Sequence, residues 1–169
     1  MEIARSRQIK AQPEQIWPYV DDVASWPKWF AEAERGEIVS GQGDGRKQKM
    51  YGHARGKASQ IDSTVTAYEP NRRLRWHHDA EFMDGKTAPV VYASDAVAEV
   101  TIEPQAGGSL VTYRLTMKAG NPLFWLIENL LARRPIQKSF DTSLERLDRL
   151  VTTASAGPAA VTMGGPSAG

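Results

Sequence analysis

The segment NPLFWLIENLLARRPIQKSFDTSLERLDRLVTT, residues 121–153, decides the architecture. Asn121 suits a helix N-cap and Pro122 the first helical position, where its missing N–H costs little. Leu123, Ile127, Leu130 and Leu131, then Phe140, Leu144, Leu147 and Val151, recur at spacings of three and four apart from one gap. That is the apolar stripe of an amphipathic helix. The gap holds Arg133-Arg134-Pro135, and a mid-helix Pro removes a backbone hydrogen bond. A kink, or two helical pieces, is therefore expected. Phe140 to Val151 is then the clamp on the core, and Leu123 to Leu131 the more mobile lip, with ligand entry near Phe124 and Trp125.

The partner for that stripe must come from the preceding chain, which reads mostly as strand. Glu2 to Ala11 is a first strand. Gln12-Pro13-Glu14 starts a short helix carrying Ile16, Trp17 and Val20, broken by Asp21-Asp22 and Ser25-Trp26-Pro27. A second short helix is expected around Lys28 to Ala33, and a short strand from Glu37 to Ser40. Strands then follow over Arg46–His53, Lys57–Tyr68, Arg72–Phe82, Val90–Glu103 and Ser109–Lys118. Each is bounded by Gly, Pro, Asn or Asp turn signals. Short loops between successive strands imply an antiparallel meander.

Period-2 alternation sorts the strand faces. Val111, Tyr113, Leu115 and Met117 share one face of the last strand, and Ala96, Ala98, Val100 and Ile102 one face of the strand before it. Leu74, Trp76 and His78 face inward, as do Ile61, Ser63, Val65 and Ala67. Small inward residues opposite a long helix leave volume unfilled, which close-packed interiors do not normally tolerate. A ligand space is one reading of that pattern. The other is that Trp76, Tyr113, Phe124 and Trp125 fill it.

Composition sets outer bounds. The chain has 169 residues, 41% hydrophobic and 24% charged, and a net charge of +1. That is enough for one domain, with no bulk electrostatic case for nucleic acid. There is no cysteine, which suits a reducing, cytoplasmic setting. The first residues carry no apolar signal core, and no run reaches the ~18 apolar residues that would span a bilayer. Residues 154–169 hold no charge, four Gly and two Pro, and are expected as a flexible tail outside a domain over 1–153.

The chemistry-bearing residues are few. His53, His77 and His78 are the only histidines. The latter two point to opposite faces of a strand, so no metal site is expected. His78 and Tyr113 are the available acid/base pair, set against an ordinary half-buried histidine. Trp26, Trp29 and Phe30 either stack on a flat ligand or pack as core. Glu99 and Arg114 read as an outward cross-strand pair. Gly41 to Gly45 lacks the spacing of a phosphate loop.

Four stretches carry a resemblance: Ile9-Lys10-Ala11-Gln12-Pro13-Glu14-Gln15-Ile16-Trp17, Val23-Ala24-Ser25-Trp26-Pro27-Lys28-Trp29, residues 65–76 with Glu69-Pro70-Asn71 at the turn, and Gly107-Gly108-Ser109-Leu110-Val111-Thr112-Tyr113. In this order and spacing they resemble the START/SRPBCC helix-grip superfamily, in its polyketide cyclase/dehydrase-like branch. The resemblance implies an α+β helix-grip fold. A curved antiparallel sheet of about seven strands would wrap a long C-terminal helix, with two short helices after the first strand. It also implies a small hydrophobic ligand, aromatic or polyketide-like, held between sheet and helix by a carrier or sensor. Trp26, Trp29, Phe30, Val65, Trp76, His78, Ala98, Val100, Tyr113, Met117, Phe124 and Ile127 would line that space. No cofactor, nucleic acid or integral membrane association is implied; a homodimer is compatible with the family. Two alternatives stay open: a cyclase or dehydratase using His78 and Tyr113, and a protein-interaction module.

Overall fold

The computed structural model describes residues 1–54, 56–87, 94–118 and 133–155. Strand β1 (Glu2–Ile9) leads into helix α1 (Pro13–Asp21). The Gln12 backbone N–H donates to Gln15 Oε1 at 2.9 Å, satisfying a donor at the helix start. A 3-10 turn (Val23–Ser25) and the short helix α2 (Trp26–Trp29) follow. Then come β2 (Ala33–Ser40), β3 (Lys47–Ala54), β4 (Lys57–Glu69), β5 (Arg73–Met83), β6 (Lys86–Thr87), β7 (Ser94–Gln105) and β8 (Gly108–Lys118). Helix α3 (Arg133–Ser155) closes the described chain.

The strands form one antiparallel open sheet in the order β1-β8-β7-β5-β4-β3-β2, with the two-residue β6 paired to β5. Together with the C-terminal helix this is the α+β helix-grip fold. The stripe Phe140, Leu144, Leu147 and Val151 is buried on α3, each side chain stabilising the core by roughly 1.5–3 kcal/mol. The helix packs mainly on β1, α1, α2 and β8. On β1 the odd positions face it: Ile3 and Ile9 are buried. Between them, Arg5 Nε donates to Asp141 at 3.3 Å and Arg7 Nε to Asp148 at 2.8 Å. Where β7 turns into β8, Gly108 has φ +154° and a Cβ there would lie 2.1 Å from Ile9 O. Only glycine lets β1 approach that hairpin.

Several expectations need correction. The second short helix starts earlier, at Trp26, because Asp22 accepts from Ala24 N–H at 3.0 Å and nucleates the preceding turn. Pro27 sits in the first turn of α2, where it is tolerated, rather than breaking the chain. Strand β2 begins at Ala33, four residues before the expected Glu37. Ala67 faces outward: a register shift between Val65 and Ala67 sets it opposite Arg75 and turns Tyr68 inward beside Leu74, as a bulge does. Pro135 stands in the first described turn of α3, and the helix runs two residues past Thr153. The expected helix start at Asn121-Pro122, the lip Leu123 to Leu131, and Phe124, Trp125 and Ile127 lie outside the described residues.

Candidate functional site

Across β3, β4 and β5 the register builds rows of side chains on the inner face. Gln48 stands opposite Ser63, and Ser63 opposite His78. The next row sets Met50 opposite Ile61 and Ile61 opposite Glu81. A register shift at Asp62/Ser63 absorbs one residue of β5, so His78 and Glu81 share a face. Their side chains meet, His78 Nδ1 to Glu81 Oε1, at 2.7 Å. Gln48 and Ser63 are buried, whereas Ile61, His78 and Glu81 stay partly open. This polar row on an apolar face lies on the side of the sheet away from β1, where α3 is fastened.

Beside its closed end is a buried polar cluster. Arg46 Nη1 donates to Asp21 Oδ1 at 2.6 Å and Arg46 Nε to Gln48 Oε1 at 3.1 Å. Tyr68 OH donates to Asp21 Oδ2 at 2.8 Å. Burial, and then that bond to the Asp21 carboxylate, raises the Tyr68 pKa, so the phenol stays a donor. Sequence reasoning missed all four residues. The available signal was parity, since Arg46 and Gln48 alternate with Met50 on a strand whose other face carries Lys47 and Lys49.

The centre of the molecule is aromatic. Tyr113 and Phe140 have ring centroids 3.9 Å apart, Phe30 and Tyr113 5.1 Å, and Trp26 and Trp76 5.2 Å. The indoles find backbone acceptors, Trp26 Nε1 on Val20 O at 3.0 Å and Trp29 Nε1 on Tyr19 O at 2.9 Å. Burial, and secondarily the charge of Glu32, pushes the Tyr113 pKa well up. Glu32 itself is raised by burial, against a lowering by Ser139, although the residue is exposed to solvent. A carboxylate crowded by protein and still reached by water accounts for both.

The residues expected to line a ligand space thus fall into three sets. Trp26, Trp29, Phe30, Trp76 and Tyr113 pack on one another, all buried. Val65, Ala98 and Val100 are buried on the inner face, and Met117 lies at its margin, 9% exposed. His78 sits in the polar row. The structure does not bring His78 and Tyr113 together. Tyr113 stands opposite Val100, and Val100 opposite Leu74. That places it two strands across and roughly 13 Å along the sheet from His78. His77 points outward to Asp79 and Asp95. Glu99 and Arg114 are cross-strand neighbours on the outer face, but Glu99 binds Arg73 at 2.8 Å and Arg114 reaches Glu2 at 3.7 Å. With Arg75, Val97 and Thr116 they line an outer-face recess of about 200 Å³.

Residues 1–152 match the family model described as polyketide cyclase / dehydrase and lipid transport. The chain belongs to this family. Solved structures of similar fold include TTHA0849 from Thermus thermophilus, at TM-score 0.71 and 20% identity, covering 92% of this chain and 99% of that one. A START superfamily protein from Mycobacterium smegmatis matches at TM-score 0.63 and 16% identity, over 92% of this chain and 97% of that one. Ara h 8.0201 matches at TM-score 0.65 and 18% identity, over 90% of this chain and 98% of that one. No curated protein matches the chain. Family and fold together indicate a hydrophobic-ligand-binding domain. No helix among the described residues is long and apolar enough to cross a membrane.

Proposed function

We propose that the protein holds a small hydrophobic, aromatic or polyketide-like molecule against the inner face of β3–β5, as a carrier or sensor. One observation carries this reading. The described helix is fastened to the β1–β8 side, while the β3–β5 side presents Gln48, Ser63 and His78 among Met50, Ile61 and Val65. A largely apolar surface with a few placed polar groups is the usual form of a small-molecule site. The protein purified from its source should carry a small organic molecule, recovered by denaturing extraction and identified by mass spectrometry. Adding it back should raise the melting temperature in a concentration-dependent way. Empty extracts, with no shift across a panel of aromatic and acyl compounds, would sink the reading.

A second reading, proton transfer within the same face, is favoured by the His78–Glu81 contact at 2.7 Å. A carboxylate on one ring nitrogen fixes the tautomer and leaves Nε2 as a base. His78→Ala should then abolish turnover of a β-keto substrate while leaving binding intact; unchanged turnover would exclude it.

A further inference from the structure

Resting on the ligand-binding reading, we infer that Arg46 and Gln48 form a subsite that recognises a neutral carbonyl oxygen on the bound molecule. Both residues are nearly sealed from solvent, Arg46 at 4% and Gln48 at 1% exposure. Each nevertheless keeps a buried nitrogen with no partner among the described residues: Arg46 Nη2 and Gln48 Nε2. An orphaned buried donor costs about 1–3 kcal/mol, and native interiors rarely keep one without a reason.

The orientation of the Gln48 amide is not arbitrary. Arg46 Nε–H donates to its oxygen at 3.1 Å, so a flipped amide would set two donors against each other. Its NH2 group must therefore point away from the guanidinium bond it already accepts. On the guanidinium, Nη1 is occupied by Asp21 at 2.6 Å. Nη2 lies on the same edge as Nε, the edge that faces Gln48. Both unpartnered donors belong to the one Asp21–Arg46–Gln48 cluster, and an oxygen has two lone pairs, enough for two donors.

Charge selects the kind of oxygen. Asp21 already neutralises Arg46. A ligand carboxylate would bring an additional buried negative charge without a counterion of its own, at a cost of several kcal/mol. A ketone, ester or quinone oxygen brings none. The surroundings fit the rest of such a molecule. Val65 pairs with Arg46 through its backbone, N to O at 2.9 Å, and Ser63, Met50 and Ile61 continue the face from Gln48 towards the half-open His78 and Glu81. The carbonyl sits at the closed end and the apolar body runs towards the wet one.

The test uses two probes of the same shape, 2-acetylnaphthalene and 2-isopropenylnaphthalene, which differ in C=O against C=CH2. Binding is followed by tryptophan fluorescence on the full chain. The wild type should prefer the ketone by about tenfold. Gln48→Met, which removes the amide at similar length, should lose most of that preference and leave binding of the alkene unchanged. Gln48→Glu keeps the shape and the bond to Arg46 while replacing the donor with an acceptor, and should also lose it if the methionine variant fails to fold. Equal affinity for the two probes in the wild type would overturn the subsite and leave the ligand reading standing. So would a preference that survives in a folded variant, which would assign the orphaned donors to a structural water. Binding of neither probe to the folded wild type would overturn the subsite, while the extraction and compound panel above decide the ligand reading.

Discussion

The hydroxyl of Ser143 on α3 accepts the backbone N–H of Ala31 at 2.9 Å and donates to Ser139 O at 2.8 Å. A single side chain thereby ties the closing helix to the loop between α2 and β2. Ser143 is fully buried, so no water can replace it. Ser143→Ala should leave the Ala31 donor unmatched and cost about 1–3 kcal/mol. Urea denaturation reads this as a lower midpoint at unchanged slope; a midpoint equal to that of the wild type would show the loop to be held by other contacts.

The same loop crosses β3 at Gly52. A Cβ there would lie 1.7 Å from Glu32 O and 2.9 Å from its carbonyl carbon. Both are backbone atoms, so no side-chain rotation relieves the overlap. Gly52→Ala should shift the loop and destabilise by about 1–3 kcal/mol. Amide hydrogen exchange should locate the loss of protection at residues 30–33; a variant as stable and as protected as the wild type would contradict the close approach.

Asp21 and Arg46 form an ion pair in which the arginine is far more enclosed than the carboxylate, 5% against 29% side-chain exposure. Removing Asp21 strands the buried guanidinium. Asp21→Ala should cost about 3–5 kcal/mol, and the double variant Asp21→Ala with Arg46→Met should recover much of it. A double-mutant cycle over thermal melts measures this; strict additivity would mean that the pair is not coupled.

Glu32 predicts a pH dependence. Burial raises its pKa above the ordinary 4.5, and the nearby Ser139 hydroxyl only partly offsets this. The folded state therefore binds this proton more tightly than the unfolded chain. Its contribution to stability is full below about pH 4.5 and is lost as pH rises through the folded value. Glu32→Gln cannot ionise, so the stability difference should move in favour of the variant as pH rises above about 4.5. The effect should be small, because solvent reaches the residue and screens it. Parallel stability curves for the two proteins would remove the proposed crowding of this carboxyl.

Much of the fold was legible before any coordinates. Alternation in Val111-Tyr113-Met117 and Ala96-Ala98-Val100-Ile102 named the inner face correctly, because a strand buries alternate residues whatever its neighbours are. The stripe Phe140-Leu144-Leu147-Val151 named the buried side of α3 for the same kind of reason. Ala67 was misplaced because a bulge is a property of two paired strands, and one strand's sequence does not report how its partner is registered.

The site was less legible. The sequence by itself determined which residues are apolar, which strands alternate, and that His77 and His78 part to opposite faces. Only the tertiary structure decided that His78 meets Glu81 rather than Tyr113, that Glu99 turns to Arg73, and that Asp21 of α1, Arg46 just before β3, Gln48 of β3 and Tyr68 of β4 converge. The physical reason is distance along the chain. Local periodicity fixes which way a side chain points, but its partner across the sheet is set by register, and register depends on how the whole sheet assembles around its bulges.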